Sequence, residues 1–181
     1  MKILSAAEIA AKERRTKRIG GIVIIALLVL SSLGFALNGV ANNNQSQNPD
    51  GLTYNGQYWV YSTGGQARYF FTYHPTETNV TISTTKNLGD FSNKPLYIDS
   101  EIGGGLEEIS NSLGLYSGKV AQACYGECDK DLPEKECSPE YNLIVLRESA
   151  NSNIREENGC IFLNGDLRTV DAFLYKILGI N

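Results

Sequence analysis

The sequence predicts an α+β protein, in which an N-terminal transmembrane helix is followed by one mixed-sheet domain with an N-terminal β-meander and two packed helices. Three observations predict this fold class. Residues 19–37 are uncharged and almost wholly apolar, residues 52–74 combine aromatic runs with turn residues, and strand and helix patterns alternate after residue 95. A chain of 181 residues has room for one domain of ordinary size with accessory segments, and not for two.

The charges divide unevenly along the chain. Residues 1–18 hold six basic and two acidic side chains, a net charge of +4, so the rest of the chain carries −8 within a total of −4. A helix over 19–37 would span about 28 Å, close to the hydrocarbon thickness of a bilayer. Because basic residues before such a segment stay in the cytoplasm, the sequence predicts a single pass through the lipid bilayer, with the C-terminal domain outside.

This interpretation divides the chain into four parts. They are a basic cytoplasmic tail at 1–18, a transmembrane helix at 19–37, a polar linker at 38–50 and an extracytoplasmic α+β domain at 51–181. One alternative is a cleaved signal peptide ending near Ala36 or Ala41, although the basic region and apolar core are longer than such signals usually have. The other is a type IV pilin leader, which normally carries a Glu that this apolar run lacks.

The outward domain is predicted to begin with a three-stranded meander. Asn55-Gly56 and Gly64-Gly65 mark its turns, and the strand patterns are QYWVYST and QARYFFTYH. A closing helix is expected from Asp166 to Gly179, with an apolar face formed by Leu167, Val170, Leu174, Ile177 and Leu178. Between them we expect strands at 79–83, 96–99, 119–124, 141–147 and 160–163, and a helix at 106–116 that joins two strands as a crossover.

Four cysteines, all in the outward domain, favour structural disulfides in an oxidising compartment. Because Cys124 ends one predicted strand and Cys160 opens another, we expect the pairs Cys124–Cys160 and Cys128–Cys137, one of three possible pairings. A zinc site or a redox-active pair is the alternative, with Cys124 and Cys128 as its candidates. Against these, Cys137 and Cys160 form no second zinc knuckle, and Glu127 beside Cys128 disfavours a thiolate.

The remaining motifs predict no metal, no cofactor and no catalytic residue. The acidic loop 127–140 resembles a Ca²⁺ loop beginning at Asp129, but Glu134 occupies the sixth position, where the turn needs glycine. His74 is the only histidine and has no nucleophile motif near it. The glycines at 103–105 lack the spacing of a nucleotide-binding loop.

Aromatic residues crowd the predicted hairpins and are the candidate binding residues. Alternation along the strands places them on both faces, so that one face serves the core and the other can present rings to a partner protein or a glycan. Ordinary strand packing is the alternative. Nucleic acid is not expected, because a domain of −8 repels phosphates. The candidate residues are Tyr58, Trp59, Tyr61, Tyr69 and Tyr73.

Three stretches carry a resemblance: KRIGGIVIIALLVLSSLGFALNG, the hairpin ending FTYHP, and CIFLNG with VDAFLYKILGI at the C-terminus. Together they resemble uncharacterised archaeal single-pass membrane proteins with a small extracytoplasmic domain. The resemblance covers most of the chain and implies an archaeal cell surface. It brings no catalytic residues.

The function expected from the sequence is that of a membrane-anchored extracytoplasmic binding or interaction module without catalytic activity. Its expected partner is another membrane or cell-surface protein, as in a subunit of a larger assembly. The alternative is a thiol-redox or metal-binding enzyme that uses Cys124 and Cys128.

Overall fold

The computed structural model describes residues 51–64 and 67–180. The predicted tail at 1–18, the predicted span at 19–37 and the predicted linker at 38–50 lie outside the described residues.

The fold class expected from the sequence needs a correction. Among the described residues, no helix combines the length and the apolar character needed to cross a membrane, and the longer of the two α-helices has 12 residues. The structure therefore supports a mixed-sheet domain with two helices. The predicted fold class was wrong to include a transmembrane helix.

The predicted N-terminal meander is confirmed. In its first turn, Asn55 Oδ1 accepts hydrogen bonds from the backbone N–H groups of Gln57 and Tyr58. Gly56 adopts a φ of 94°, which glycine reaches without steric cost. The three antiparallel strands lie in chain order and are β1 (Leu52–Tyr54), β2 (Trp59–Ser62) and β3 (Arg68–Phe71).

Eight further strands and two α-helices follow the meander. The strands are β4 (Thr81–Ser83), β5 (Pro95–Ser100), β6 (Lys119–Gln122), β7 (Cys124–Tyr125), β8 (Glu134–Lys135), β9 (Asn142–Glu148), β10 (Asn153–Glu157) and β11 (Cys160–Gly165). The helices are α1 (Gly105–Leu113) and α2 (Leu167–Leu178). Two short 3-10 helices lie at Pro75–Glu77 and Leu88–Phe91.

Six of these strands form the main sheet, in the order β4-β10-β11-β9-β5-β6. Strands β11, β9, β5 and β6 run parallel to one another, while β10 and β4 run in the opposite direction. Strands β5 and β6 are parallel neighbours joined through α1, as the crossover prediction requires. Strands β7 and β8 form a separate two-stranded sheet.

The sequence prediction missed β10, which forms a hairpin with β11. Its turn is Asn158-Gly159, and both residues have positive φ, 51° and 88°. Asn-Gly is the pair that such two-residue turns favour. The strand was missed because Arg155, Glu156 and Glu157 hide its alternating pattern.

Both helices contribute to one core on the same face of the main sheet. Helix α2 begins at an Asp166 cap, whose carboxylate accepts from the backbone N–H of Arg168, and ends at Gly179 in the left-handed conformation. Helix α1 lies so close to the sheet that a Cβ on Gly105 would come within 2.6 Å of Leu146. Residues from four sources meet in this core: Leu52 and Phe71 of the meander, Ile144 and Leu163 of the sheet, Ile109 of α1 and Phe173 of α2.

The opposite face of the sheet carries a second, smaller core. Leu143 and Val145 of β9 alternate with the residues that face the helices, and they pack with Cys160 and Phe162 of β11. No helix of the described residues covers this face; the loop between β7 and β9 does so, through Cys137 and Tyr141 among others. We call this segment, residues 126–141, the cysteine loop.

All four cysteines form disulfides, as expected from the sequence, but the expected pairing is wrong. The bonds are Cys124–Cys128 and Cys137–Cys160, instead of Cys124–Cys160 and Cys128–Cys137. Cys160 opens β11 on the face that the cysteine loop covers, which brings it to Cys137. Cys124 therefore closes a short loop with Cys128.

The two disulfides are expected to differ in their contribution to stability. Their cysteines are separated by 23 and 4 positions, so loop-closure entropy predicts a loss of about 3 kcal/mol for Cys137→Ala/Cys160→Ala and about 2 kcal/mol for Cys124→Ala/Cys128→Ala. Denaturant unfolding of both double variants measures the difference. Peptide mapping without reductant is the control for the pairing, and a Cys124–Cys160 peptide would contradict it.

Candidate functional site

The five aromatic candidates do not form one surface. Tyr69 is only 2% exposed and belongs to the core, where its hydroxyl hydrogen-bonds to that of Tyr116. Trp59, Tyr61 and Tyr73 are half-buried, and Tyr58 is exposed. Strand pairing explains the division, because Trp59 lies opposite Phe71 and Tyr61 opposite Tyr69, on the face of the meander that packs on the core.

Two of the half-buried candidates have structural contacts around His74. The Trp59 ring lies 4.4 Å from the His74 ring, centroid to centroid. His74 itself caps the 3-10 helix that follows it, accepting from the backbone N–H of Thr76. Tyr73 is covered by the Arg168 guanidinium, 4.2 Å from its ring centroid. These contacts assign Trp59, Tyr73 and His74 to the packing of the meander.

The exposed aromatic surface lies on the other face of the meander. Phe70, between the buried Tyr69 and Phe71, is 45% exposed and makes an edge-to-face contact with Tyr58, which is 37% exposed. Leu115, just beyond the end of α1, is 65% exposed. Large apolar side chains exposed together are typical of interaction sites.

Phe70 and Leu115 line the same open cavity, with a volume of about 650 Å³. Ala67, Arg68 and Asn111 complete its lining. Arg68 forms no ion pair with any described residue. We call this feature the Phe70–Leu115 groove. It combines apolar walls with one available cation and one amide, so it can take an apolar side chain beside a carboxylate.

Sequence reasoning missed Leu115 as a surface residue because the predicted helix extended to residue 116. The helix in fact ends at Leu113, and Gly114 follows it as the cap. Phe70 could have been found, since strict alternation with its two neighbours places it on the outer face.

A pair of carboxyl groups joins both helices to the end of β3. Glu108 of α1 accepts from the Thr72 hydroxyl at 2.6 Å, and Asp171 of α2 accepts from the backbone N–H of Tyr73 at 2.7 Å. The other oxygens, Glu108 Oε2 and Asp171 Oδ1, are buried and receive no donor from elsewhere in the described residues. The charge of Glu108 raises the pKa of Asp171, so one of these two buried carboxyls is expected to hold a proton at neutral pH.

We expect Asp171 to hold that proton. Burial, followed by the charge of Glu108 and the hydrogen bond with it, raises the pKa of Asp171 to about 9. Burial also raises the pKa of Glu108, against the hydrogen bonds from Thr72 and Asp171. A carboxyl that stays neutral at pH 7 can donate a hydrogen bond, which an ionised one cannot. The periodicity of α2 could not reveal this pair, because it does not show which residue of another helix faces Asp171.

The cysteines offer no thiol in this structure, since no described cysteine is free. The described residues also contain no group of three or more His, Cys, Asp or Glu side chains placed to hold a metal ion. In the cysteine loop, Lys135 lies over the rings of Tyr97 and Tyr141 rather than against the neighbouring acids.

No protein-family model, curated protein or solved structure matches the chain. The function is therefore argued from geometry alone.

The raised pKa of Asp171 predicts that the free energy of unfolding falls as the pH rises. The pKa of Asp171 is about 9 in the folded chain against an ordinary value of 3.8, so between these values the folded state holds a proton that the unfolded chain has released. The free energy of unfolding should decrease over this window by up to about 1.4 kcal/mol per pH unit. Asp171→Asn keeps the hydrogen bonds without a titrating group and should flatten the decrease.

Urea unfolding of the parent and variant at several pH values measures this slope. Glu140→Gln is the matched control, since Glu140 is an exposed acid of the cysteine loop and is not among the groups that shift the pKa of either carboxyl, and it should leave the slope unchanged. If the free energy of unfolding had the same slope against pH in the parent and in Asp171→Asn, Asp171 would not be the group that holds the proton.

Proposed function

We propose that this domain is a non-catalytic binding module of an oxidising, extracytoplasmic compartment, and that it docks a partner protein in the Phe70–Leu115 groove. The observation that carries the proposal is the exposure of Phe70 and Leu115 in one cavity, with the exposed Tyr58 in contact with Phe70. Burying a side chain of this size is worth roughly 1.5–3 kcal/mol, so leaving them exposed has a cost that a partner would remove.

The form of the groove favours a protein over a glycan. Sugar rings are expected to stack on flat aromatic faces with polar groups around them. Here the Phe70 ring meets the neighbouring Tyr58 ring edge to face at 80°, and the aliphatic Leu115 lines the same groove. An apolar side chain of a partner fits such walls, and a carboxylate near it could pair with Arg68.

The two disulfides support the compartment. Such bonds persist in oxidising surroundings and are rare in reducing ones. Cys160 is fully buried and Cys137 is half-buried, so the bond between them is part of the second core rather than a surface addition.

One observation favours the second candidate, a thiol-redox activity. Cys124 and Cys128 are bonded to each other, as a redox-active pair would be, and Cys128 is half-buried while Cys124 is 2% exposed. Titration of thiols after mild reduction separates the two functions. A Cys124–Cys128 bond that is reduced readily and reoxidised by a substrate disulfide would replace the binding proposal, and a bond that stays closed would support it.

A photo-reactive amino acid at position 115 tests the docking surface directly. Introduced in place of Leu115 in the full chain and expressed in the source cells, it should crosslink a defined partner protein, identified by mass spectrometry. The same reagent at position 82 is the matched control, because Ile82 is also a large apolar residue, 39% exposed, on the edge strand β4 away from the groove.

Phe70→Ser should then lower the crosslinking yield at position 115 at least about fivefold, the effect of losing an apolar anchor at an interface. Ile82→Ser should leave that yield unchanged. Equal crosslinking from positions 82 and 115, or a yield at 115 that Phe70→Ser does not change, would overturn the proposal.

A further inference from the structure

A second cavity lies at the carboxyl ends of the parallel strands. It differs from the apolar groove because charged side chains line it. From β5 the chain continues to β6 on one side of the sheet, whereas from β9 it continues toward β10 and β11 on the other side. The connections therefore diverge between β5 and β9. In α/β sheets, ligands bind beyond the carboxyl ends of the strands, and this cavity lies there on the β5–β6 side of the divergence, since no residue of β9 lines it.

The cavity has a volume of about 290 Å³ and is lined by the end of β5 with the turn after it, the first turn of α1, the cysteine loop, and Gln122 and Ala123 at the end of β6. The end of β5 forms its floor with Asp99 and Ser100, and the first turn of α1 forms one wall with Leu106 and Glu107. The cysteine loop supplies Lys130 and Leu132 on the other side. The short disulfide Cys124–Cys128 anchors that part of the loop.

Asp99 is a buried charged residue in the lining of this cavity. It is 7% exposed, and its Oδ2 accepts from Arg147 at 2.6 Å and from the backbone N–H of Tyr125 at 2.9 Å. Burial alone would raise the pKa of Asp99, but these hydrogen bonds and the charge of Arg147 outweigh it and lower the pKa. Asp99 is therefore a fixed carboxylate. Its second oxygen, Oδ1, receives no hydrogen bond from any described residue.

Two further charged groups of the cavity form no close ion pair, although the charge of Lys130 helps to lower the pKa of Asp99. Lys130 and Glu107 form no ion pair and no side-chain hydrogen bond within the described part of the chain. Helix α1 also begins without a side-chain cap, because its N-cap is Gly104. Its first-turn N–H groups add a partial positive charge on the same wall.

The cavity thus presents carboxylates and positive groups at once. Asp99 and Glu107 suit an ammonium, whereas Lys130 and the start of α1 suit a carboxylate. Asp99 Oδ2 and Glu101, which also lines the cavity, are paired with Arg147, so the groups left for a ligand, Asp99 Oδ1, Glu107 and Lys130, carry charges of both signs. A zwitterion a few ångströms long satisfies both.

We propose that this cavity binds a free α-amino acid, with its ammonium on Asp99 and Glu107 and its carboxylate on Lys130 and the first turn of α1. The volume of about 290 Å³ accommodates a molecule of this size. Ile102, Leu106 and Leu132 leave an apolar area for its side chain. This site is separate from the Phe70–Leu115 groove and does not depend on the docking proposal.

The test uses NMR titration of the purified full chain with L-alanine, L-serine and L-leucine. Methylammonium and acetate serve as probes that carry one charge each. The amino acids should cause saturable shifts of the backbone resonances of Gly103, Gly104 and Tyr125, and both single-charge probes should bind more weakly.

Two exposed substitutions test the contacts without removing the buried Asp99. Lys130→Met and Glu107→Gln should each weaken amino-acid binding by roughly threefold or more, as the loss of one partly exposed ion pair predicts. Lys119→Met and Glu140→Gln, which change exposed charges outside the cavity, are the matched controls and should leave binding unchanged. Thermal unfolding of the four variants checks that each one folds.

Three results would overturn the proposal. They are the absence of saturable shifts with all three amino acids, equal binding of methylammonium or acetate, and unchanged affinity in both cavity variants.

Discussion

The burial of β9 on both faces is the constraint on which the rest of this structure depends. Five consecutive residues, 142–146, are buried, so the strand needs a cover on each side of the sheet. The helices and the meander provide one cover, and the cysteine loop, tied to β11 by Cys137–Cys160, provides the other. Asn142 is the first residue of the strand, and its side-chain amide donates a hydrogen bond to the backbone carbonyl of Asp90. Both candidate sites are formed by these covering segments.

Hydrogen bonds hold the covering segments in place, and some of them lie where α1, α2 and β3 meet. Glu108 of α1 accepts a hydrogen bond from Thr72 and Asp171 of α2 accepts one from the backbone of Tyr73, so both helices hold the end of β3. This contact fixes the meander against α1, and the Phe70–Leu115 groove lies between these two elements. On the other side, Asp99 binds both Arg147 of β9 and the backbone at Tyr125, so it links the sheet to the start of the cysteine loop.

Local patterns in the sequence predicted most strands and both helices, because alternation, turn pairs and helix caps are properties of neighbouring residues. Asn55-Gly56 placed a turn correctly, and Gly179 ended α2 as expected. Contacts between distant elements could not be predicted in this way. Pairing Cys160 with Cys137 requires knowing which face the cysteine loop crosses. The cavity beside Asp99 likewise depends on a strand order that periodicity does not contain.

The disulfide on the second face has a consequence for how the domain matures. If Cys137 and Cys160 were reduced, the cysteine loop would be held over Leu143, Val145 and Phe162 by side-chain contacts alone. An apolar sheet face that opens to water invites association with other chains. Oxidation of Cys137 and Cys160 therefore keeps this face of the sheet covered, and a chain held under reducing conditions would expose it more readily.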